Sequence, residues 1–307
     1  MELAPSFSVA RQLFSESHVM DKLCPRFTVV TPSFNQGRFI KEAIESVVAQ
    51  DFFNVEHLII DACSNDETLN ILQHGTGTPE WNHVRWNSEP DGGQSAALNK
   101  GFRLATGEIV GWLNSDDRYR AGCFEVVAQA FAANPEVDVL YGDYTLINEA
   151  GNIIRTCKEI EFNRFVLNYH RVLYIPTTAT FFRRRIFTEG NWLNEDLHYA
   201  MDADFFIRLA ATGYTFKHIP TLLADSRLHP KSKSCAHTEE MLKEREDVTR
   251  VQSQILQRSR PPFLRKKALG GLKMAAALLR YSEKMARGYY NAEDPYGLMK
   301  VQRSQGN

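Results

Sequence analysis

Two adjacent carboxylates, Asp116 and Asp117, close the run Trp112-Leu113-Asn114-Ser115-Asp116-Asp117. Gly107-Glu108-Ile109-Val110-Gly111 precedes it, and the Ile, Val, Trp and Leu together read as a short buried strand. A strand running out into Asn-Ser-Asp-Asp delivers carboxylates to its C-terminal edge, where open α/β sheets bind ligands. Carboxylates there suit a hard divalent cation such as Mg²⁺ or Mn²⁺, completed by phosphate oxygens. The competing role is to cap the helix expected over residues 121–133. Asp61 ends a second strand, His57-Leu58-Ile59-Ile60, and is placed either to accept hydrogen bonds from a base or ribose or to cap a turn. Asp202 and Asp204 open a later helix, where the dipole favours carboxylates, and Arg208 is spaced to pair with Asp204.

The elements that must position these groups follow from hydrophobic period. A strand over residues 27–30 ends in Thr31-Pro32-Ser33-Phe34-Asn35-Gln36-Gly37, and Phe39, Ile40, Ala43, Ile44, Val47 and Val48 then recur at helical spacing. The strand ending at Asp61 precedes a helix with Leu69, Ile71 and Leu72. This βαβ pattern implies parallel strands. A third strand over 84–87 leads to the turn Pro90-Asp91-Gly92-Gly93 and a helix over 96–105, which Gly107 is expected to close. A strand over 136–143 and a hairpin around Asn148-Glu149-Ala150-Gly151 come next. Further strands are expected over 179–182, before Arg183-Arg184-Arg185 read as a solvated strand end, and over 214–223. The latter leads to Leu228-His229-Pro230 and a polar connector, Lys231-Ser232-Lys233-Ser234.

Composition narrows the classes. A chain of 307 residues with 43% hydrophobic and 24% charged residues is long enough for one large α/β domain plus an appendage. A formal net charge of -1 gives no basis for a nucleic-acid partner. Five scattered cysteines without a Cys-x-x-Cys pair read as buried thiols of a reducing compartment. No Gly-x-Gly-x-x-Gly follows either early strand, which argues against a nicotinamide or flavin enzyme. No apolar run approaches the roughly 18 residues of a membrane span. The division expected is a lead-in over 1–25, a catalytic domain over 26–234 and a helical extension over 235–307. In that extension Lys266, Lys273, Arg280, Lys284 and Arg287 share one helical face. Such a face either lies on an anionic membrane, at about 1 kcal/mol per cation, or packs on the catalytic domain or a second subunit.

Taken together and in order, several motifs resemble those of the family 2 glycosyltransferases, inverting nucleotide-sugar enzymes of the GT-A fold. They are Thr31-Pro32-Ser33-Phe34-Asn35-Gln36, Asp61 through Thr68, Ser88-Glu89-Pro90-Asp91 with Asn99-Lys100-Gly101, Asn114-Ser115-Asp116-Asp117, Asp202-x-Asp204 with Arg208, and His229. The resemblance implies an α/β, Rossmann-like sheet, mixed but mainly parallel, flanked by helices and followed by a C-terminal helical extension. It puts Thr31, Pro32, Ser33 and Asn35 around base and ribose, Asp61 on the base, and Asp91 and Lys100 on the nucleotide or donor sugar. Ser115-Asp116-Asp117 fills the family's Asp-x-Asp place, which assigns the metal, Mn²⁺ or Mg²⁺, to Asp117 and a ribose or sugar contact to Asp116. Asp202 takes the place of the catalytic base, and Arg208 and His229 fall where diphosphate or lid contacts are made. The implied partners are a nucleoside-diphosphate sugar and a saccharide or lipid-linked acceptor, met in the cytoplasm.

Three departures stand out. Ala62 and Cys63 replace small or acidic residues, and Ala96 stands where many relatives have Asp. No Gln-x-x-Arg-Trp follows Asp204, which implies addition of a single sugar. A sugar nucleotidyltransferase is the enzymatic alternative, but the loop after the first strand lacks the glycines and cations that class needs. A nucleotide-sugar binder without catalysis is the other, and it would have no use for a base at Asp202.

Overall fold

The computed structural model describes residues 25–170, 172–233, 238–256 and 262–289. The lead-in over residues 1–24, with Cys24, and Cys235 lie outside the described residues; Cys123 and Cys157 are buried thiols as expected, whereas Cys63 is exposed, in the loop after the strand that ends at Asp61. The first half alternates strand and helix: β1 (Phe27–Ser33), α1 (Ile40–Val48), β2 (Val55–Asp61), α2 (Thr68–Gly75), β3 (Val84–Ser88), α3 (Gln94–Leu104) and β4 (Ile109–Trp112). These strands pair in parallel in the order β3-β2-β1-β4. Then come β5 (Arg118–Tyr119), α4 (Cys123–Ala133), β6 (Val139–Ile147), β7 (Ile153–Cys157), α5 (Arg164–Tyr169), β8 (Thr180–Arg183), α6 (Arg185–Thr188), α7 (Met201–Thr212) and β9 (Phe216–Arg227). The sheet continues β8-β6-β9-β5, with β8 antiparallel to both neighbours and β6 parallel to β9. The expected mixed α/β sheet is therefore present, and the hairpin appears as antiparallel β6–β7 pairing.

β1 is buried along its whole length, as a central strand must be. Alternation splits neighbouring residues between two cores. Val30, Trp112, Tyr141 and Phe182 join Phe102, Phe187, Phe205 and Phe206 on one side. Val29, Leu140 and Phe181 join Phe27, Phe124 and Phe131 in the other cluster. Each helix contributes one apolar stripe, as α1 does with Ile40, Ala43, Ile44 and Val47.

Gly107 does not close α3, which ends at Leu104. A Cβ at Gly107 would lie 2.6 Å from the Thr28 amide nitrogen and 2.7 Å from the Arg26 carbonyl oxygen. The glycine is thus required where the chain passes close to β1. Gly107→Ala is expected to cost about 1–3 kcal/mol, the usual price of overpacking, read as a lower melting temperature. An unchanged one would contradict the close-approach role. Arg183 is also not merely solvated. Its guanidinium donates to the carbonyls of Val137 (2.8 Å) and Phe131 (3.0 Å), while Arg185 pairs with Asp138 at 2.6 Å.

The C-terminal extension forms α8 (Thr238–Leu256) and α9 (Pro262–Ala286). The basic stripe of α9 turns toward acidic groups of the body. Arg280 and Lys284 pair with buried Glu159 at 3.0 and 3.1 Å, Arg287 with Glu161 at 3.5 Å, and Lys273 with Glu246 of α8 at 2.6 Å. Met274, Leu278 and Met285 are exposed. These ion pairs favour packing on the catalytic domain over a basic face laid on lipid. The side chain of Lys266 lies outside the described residues. Among the described residues no helix is long and apolar enough to cross a membrane.

Candidate functional site

The parallel half of the sheet places Ser33, Asp61 and Ser88 in one row at its C-terminal edge. Asp61 is fully buried there. One oxygen accepts the Ser64 amide (2.9 Å) and the Ser88 hydroxyl (2.7 Å), and the other accepts the Ser64 hydroxyl (2.5 Å). Asp61 therefore ties together the loops that follow β2 and β3. The loop after β1 is stitched to the loop after β2 in the same way. Asn35, at φ 53, donates its N–H to Ser64 Oγ (2.7 Å) and accepts the Asn65 N–H (2.9 Å), while Gln36 N–H reaches Thr68 Oγ1 (3.0 Å). Thr31 points inward, its hydroxyl 2.9 Å from Nε2 of His57, whose ring burial and nearby His83 push down to about 3. Pro32 is buried beside it. Ser33 Oγ is buried and has no partner among the described residues.

Asp91 sits exposed in the turn before α3, its carboxylate accepting the Gly93 N–H at 2.7 Å. Lys100 donates to Asn87 (2.6 Å) and pairs with Glu89, so its ammonium is held at the end of β3. The start of α3 touches two other parts of the site. Gln94 donates to Asn114 Oδ1 at 3.0 Å, and Ser95 Oγ donates to the Leu197 carbonyl at 3.2 Å, in the segment before α7. The carboxylate motif and the segment leading to Asp202 are thus bridged by one helix end.

The two carboxylates after β4 differ in what surrounds them. Asp117 is 3% exposed. One oxygen accepts the Arg227 N–H at 2.8 Å, and the other accepts the Thr178 hydroxyl (2.5 Å) and the Asn114 amide (3.1 Å). Burial and then the charge of Asp116 push its carboxyl up to about 7, against those three hydrogen bonds. Asp116 keeps 18% of its side chain exposed and meets Nε2 of His229 at 3.0 Å. His229 packs on the ring of Phe39, centroids 4.8 Å apart. Neither carboxylate caps α4, whose N-cap is Gly122 in the left-handed region without a side-chain bond. The cap role expected from sequence is replaced by bonds to β9.

Asp202 and Asp204 occupy the first turn of α7. Asp202 is half-buried, and burial raises its carboxyl above the usual carboxylate range. Its Oδ1 accepts the Ala203 N–H at 2.6 Å. Asp204 pairs with Arg208 at 2.7 Å, as the spacing implied. Arg208 also donates to the Trp192 carbonyl at 2.7 Å, so its guanidinium serves α7 and the preceding loop rather than a diphosphate.

Sequence reasoning passed over Arg227. Its Nε donates to the Asp116 carbonyl (2.8 Å), its Nη1 to the carbonyls of Asn148 (3.2 Å) and Glu149 (2.9 Å), and its Nη2 pairs with Glu42 at 2.5 Å. One buried guanidinium thus fixes the motif backbone to the β6–β7 turn and α1. Only its place two residues before His229 hinted at this. Phe34 is 59% exposed in the loop after β1. Among the described residues no group of three or more His, Cys, Asp or Glu is placed to hold a metal.

The profile described as glycosyl transferase family 2 matches residues 28–207. The chain is 28% identical over 219 residues to a chondroitin synthase of Escherichia coli, covering 69% of this chain and 30% of that one. It is 30% identical over 191 residues to an uncharacterized glycosyltransferase of Mycobacterium tuberculosis, covering 61% of this chain and 69% of that one. Several of the relatives it matches are far longer, and it spans only 21% to 35% of the length of five of them. Among solved structures it resembles S. aureus TarS 1-349 in complex with UDP-GlcNAc, with a TM-score of 0.59 and 18% identity over 75% of this chain and 66% of that one. It also resembles the mannosyltransferase PcManGT of Pyrobaculum calidifontis in complex with GDP-Man and Mn²⁺, with a TM-score of 0.57 and 17% identity over 92% and 80% of the two chains. The fold is therefore that of the GT-A glycosyltransferases.

Proposed function

The chain belongs to glycosyl transferase family 2, and we propose that it moves a single sugar from a nucleoside diphosphate to an acceptor hydroxyl, with inversion at the transferred carbon. The observation that carries this reading is the pair formed by Asp116 and His229 at the edge of the sheet. A partly open carboxylate beside an imidazole fits a divalent cation whose remaining positions are filled by diphosphate oxygens and water. The mixed oxygen and nitrogen pair suits Mn²⁺ better than Mg²⁺, which prefers oxygen alone. Asp117 fits less well, because protein donors already occupy both its oxygens. We therefore give the ion to Asp116 and His229, and to Asp117 the task of holding the motif against β9. The ion would supply positive charge that stabilises the leaving nucleoside diphosphate.

The chain's own groups do the rest. Phe34 offers a face on which a base stacks, a contact worth about 1–3 kcal/mol. Ser33 and Asp91 offer polar contacts to the nucleotide or donor sugar. Asp202 takes the proton of the acceptor hydroxyl while its oxygen bonds to the sugar carbon and the bond to the diphosphate breaks. A carboxylate with a raised pKa suits that task, since it accepts a proton more readily near neutral pH. The acceptor we propose is a saccharide or lipid-linked sugar in polysaccharide or glycoconjugate assembly, as the likeness to a chondroitin synthase suggests. A thermal-shift panel of nucleoside diphosphates with and without Mn²⁺ tests the reading. A nucleotide at 100 times its dissociation constant adds about 2.7 kcal/mol. The expected result is a shift for at least one nucleotide that depends on Mn²⁺, and no shift with any nucleotide would overturn the reading.

A further inference from the structure

The match to the family ends at residue 207, yet α8, which lies beyond it, reaches the base-bearing helix. Glu244 of α8 directs its carboxylate at the N-terminus of α7. One oxygen accepts the His198 N–H at 3.0 Å, and the other accepts the N–H groups of Tyr199 and Ala200, both at 2.5 Å. Ala200 is the N-cap of α7 and has no side-chain cap of its own. A helix start leaves amides unsatisfied and carries partial positive charge, so a carboxylate brought in from another helix completes it. These three amides stand immediately before Met201 and Asp202. Lys233 grips the same segment from the other side, its Nζ donating to the His198 carbonyl at 3.0 Å. Upstream, Asn99 of α3 binds Leu193 through both its amide nitrogen (3.0 Å) and its oxygen (2.9 Å), and it also binds Glu195.

The next residue of α8 is stranger. Arg245 is 5% exposed. Its Nη2 donates to the Leu167 carbonyl at 3.0 Å, whereas Nε and Nη1 have no partner among the described residues. Unsatisfied buried donors cost about 1–3 kcal/mol each, so packing alone is a poor reason for an arginine here. Burial lowers its pKa to about 10 against the charges of Asp202 and Asp204, and its own charge favours the ionised form of Asp202. α8 thus sets a buried guanidinium with spare donors next to the glutamate that fixes the chain carrying Asp202 and Asp204.

We propose that Glu244 and Arg245 are positioning residues for Asp202: Glu244 fixes the backbone that presents the carboxylate, and the buried charge of Arg245, the next residue of α8, acts on that carboxylate across the contact between α7 and α8. This rests on Asp202 acting as the base. On this account the C-terminal helices belong to the catalytic machinery, not to an appendage beside it.

The test uses the full chain with its donor and Mn²⁺, comparing Glu244→Gln, Arg245→Met, Arg245→Lys and Asp202→Asn well below their melting temperatures. Glu244→Gln and Arg245→Met are expected to lower kcat by about 10–100-fold, the range seen for supporting partners in other sites, with donor KM unchanged. The titratable groups facing Asp202 are Arg245, Glu244 and Lys233, with Asp204 on its own helix. Removing the Arg245 charge should move the acid limb of kcat to higher pH, and Arg245→Lys should return it toward the wild-type position. A merely structural arginine would lower stability without moving that limb. If Asp202→Asn is inactive while Glu244→Gln and Arg245→Met both keep wild-type kcat and pH profile, the positioning inference fails and the base stands. If Asp202→Asn itself keeps full activity, the base reading fails, and this inference falls with it.

Discussion

Asp202→Asn is expected to cut turnover by roughly 10²–10⁴-fold, the usual contribution of a general base, without lowering the melting temperature at neutral pH. The two halves of that expectation come from the same environment. Burial raises the Asp202 carboxyl, so the folded chain holds its proton more tightly than the unfolded chain does. An acid shifted upward contributes a cost above its ordinary titration range, and the cost is relieved as pH falls through the folded value. Asn removes the charge and with it that cost, so the variant is at least as stable as the parent. Were Asp202 only a first-turn charge on the dipole of α7, the substitution would reduce stability and leave kcat near normal. The same shift predicts that wild-type kcat falls on the acid side at a pH above the usual carboxylate range. Should Asp204→Asn prove the more damaging change, the base lies two residues further on, and the Asp204–Arg208 pair at 2.7 Å speaks against that.

The second large effect separates the paired carboxylates. Asp116→Asn is expected to abolish Mn²⁺-dependent nucleotide binding, a loss of at least about 10–100-fold in metal affinity, with the melting temperature of the unliganded protein preserved. Its carboxylate is partly open and makes one side-chain contact, to His229. Asp117→Asn is expected to act on the fold instead. The new amide would turn an N–H₂ group toward donors, because Thr178, Asn114 and the Arg227 backbone all give hydrogen bonds to that carboxylate. Each buried donor left unmatched costs about 1–3 kcal/mol, so the melting temperature falls. Calorimetric titration of Mn²⁺ plus a nucleoside diphosphate into both variants decides the matter. If Asp117→Asn keeps its stability and loses the metal while Asp116→Asn binds normally, the two assignments are reversed.

The elements carrying these groups were legible in the sequence because hydrophobic period reports burial directly. The apolar runs of β1, β2 and β6 and the stripe of α1 read as strands and helix, and the βαβ order read as parallel pairing, where the structure has them. What was hidden depended on contacts far apart in the chain. Asp116 and Asp117 look equivalent side by side, and only β9, 110 residues on, takes up Asp117 through the Arg227 amide. Gly107 resembled a helix stop because local reasoning cannot see that β1 passes beneath it. The basic stripe of α9 could be read as lipid-facing or as packed on protein because Glu159, which receives Arg280 and Lys284, is more than a hundred residues away. Arg208 was readable both ways, and only the Trp192 carbonyl commits it to structure. Roles carried by residue type survive in a sequence, whereas roles assigned by which oxygen is already occupied do not.

The most direct test of the account follows donor cleavage itself. The full chain is incubated with a panel of α-linked nucleoside-diphosphate sugars, with Mn²⁺ or with EDTA, and the anomeric configuration of the released or transferred sugar is read by NMR before it equilibrates. The account predicts release of the nucleoside diphosphate from at least one donor, only with Mn²⁺, and a first-formed product of β configuration. It also predicts that the reaction is lost in Asp202→Asn and in Asp116→Asn. A product of retained α configuration, or no release from any donor in the panel, would contradict it.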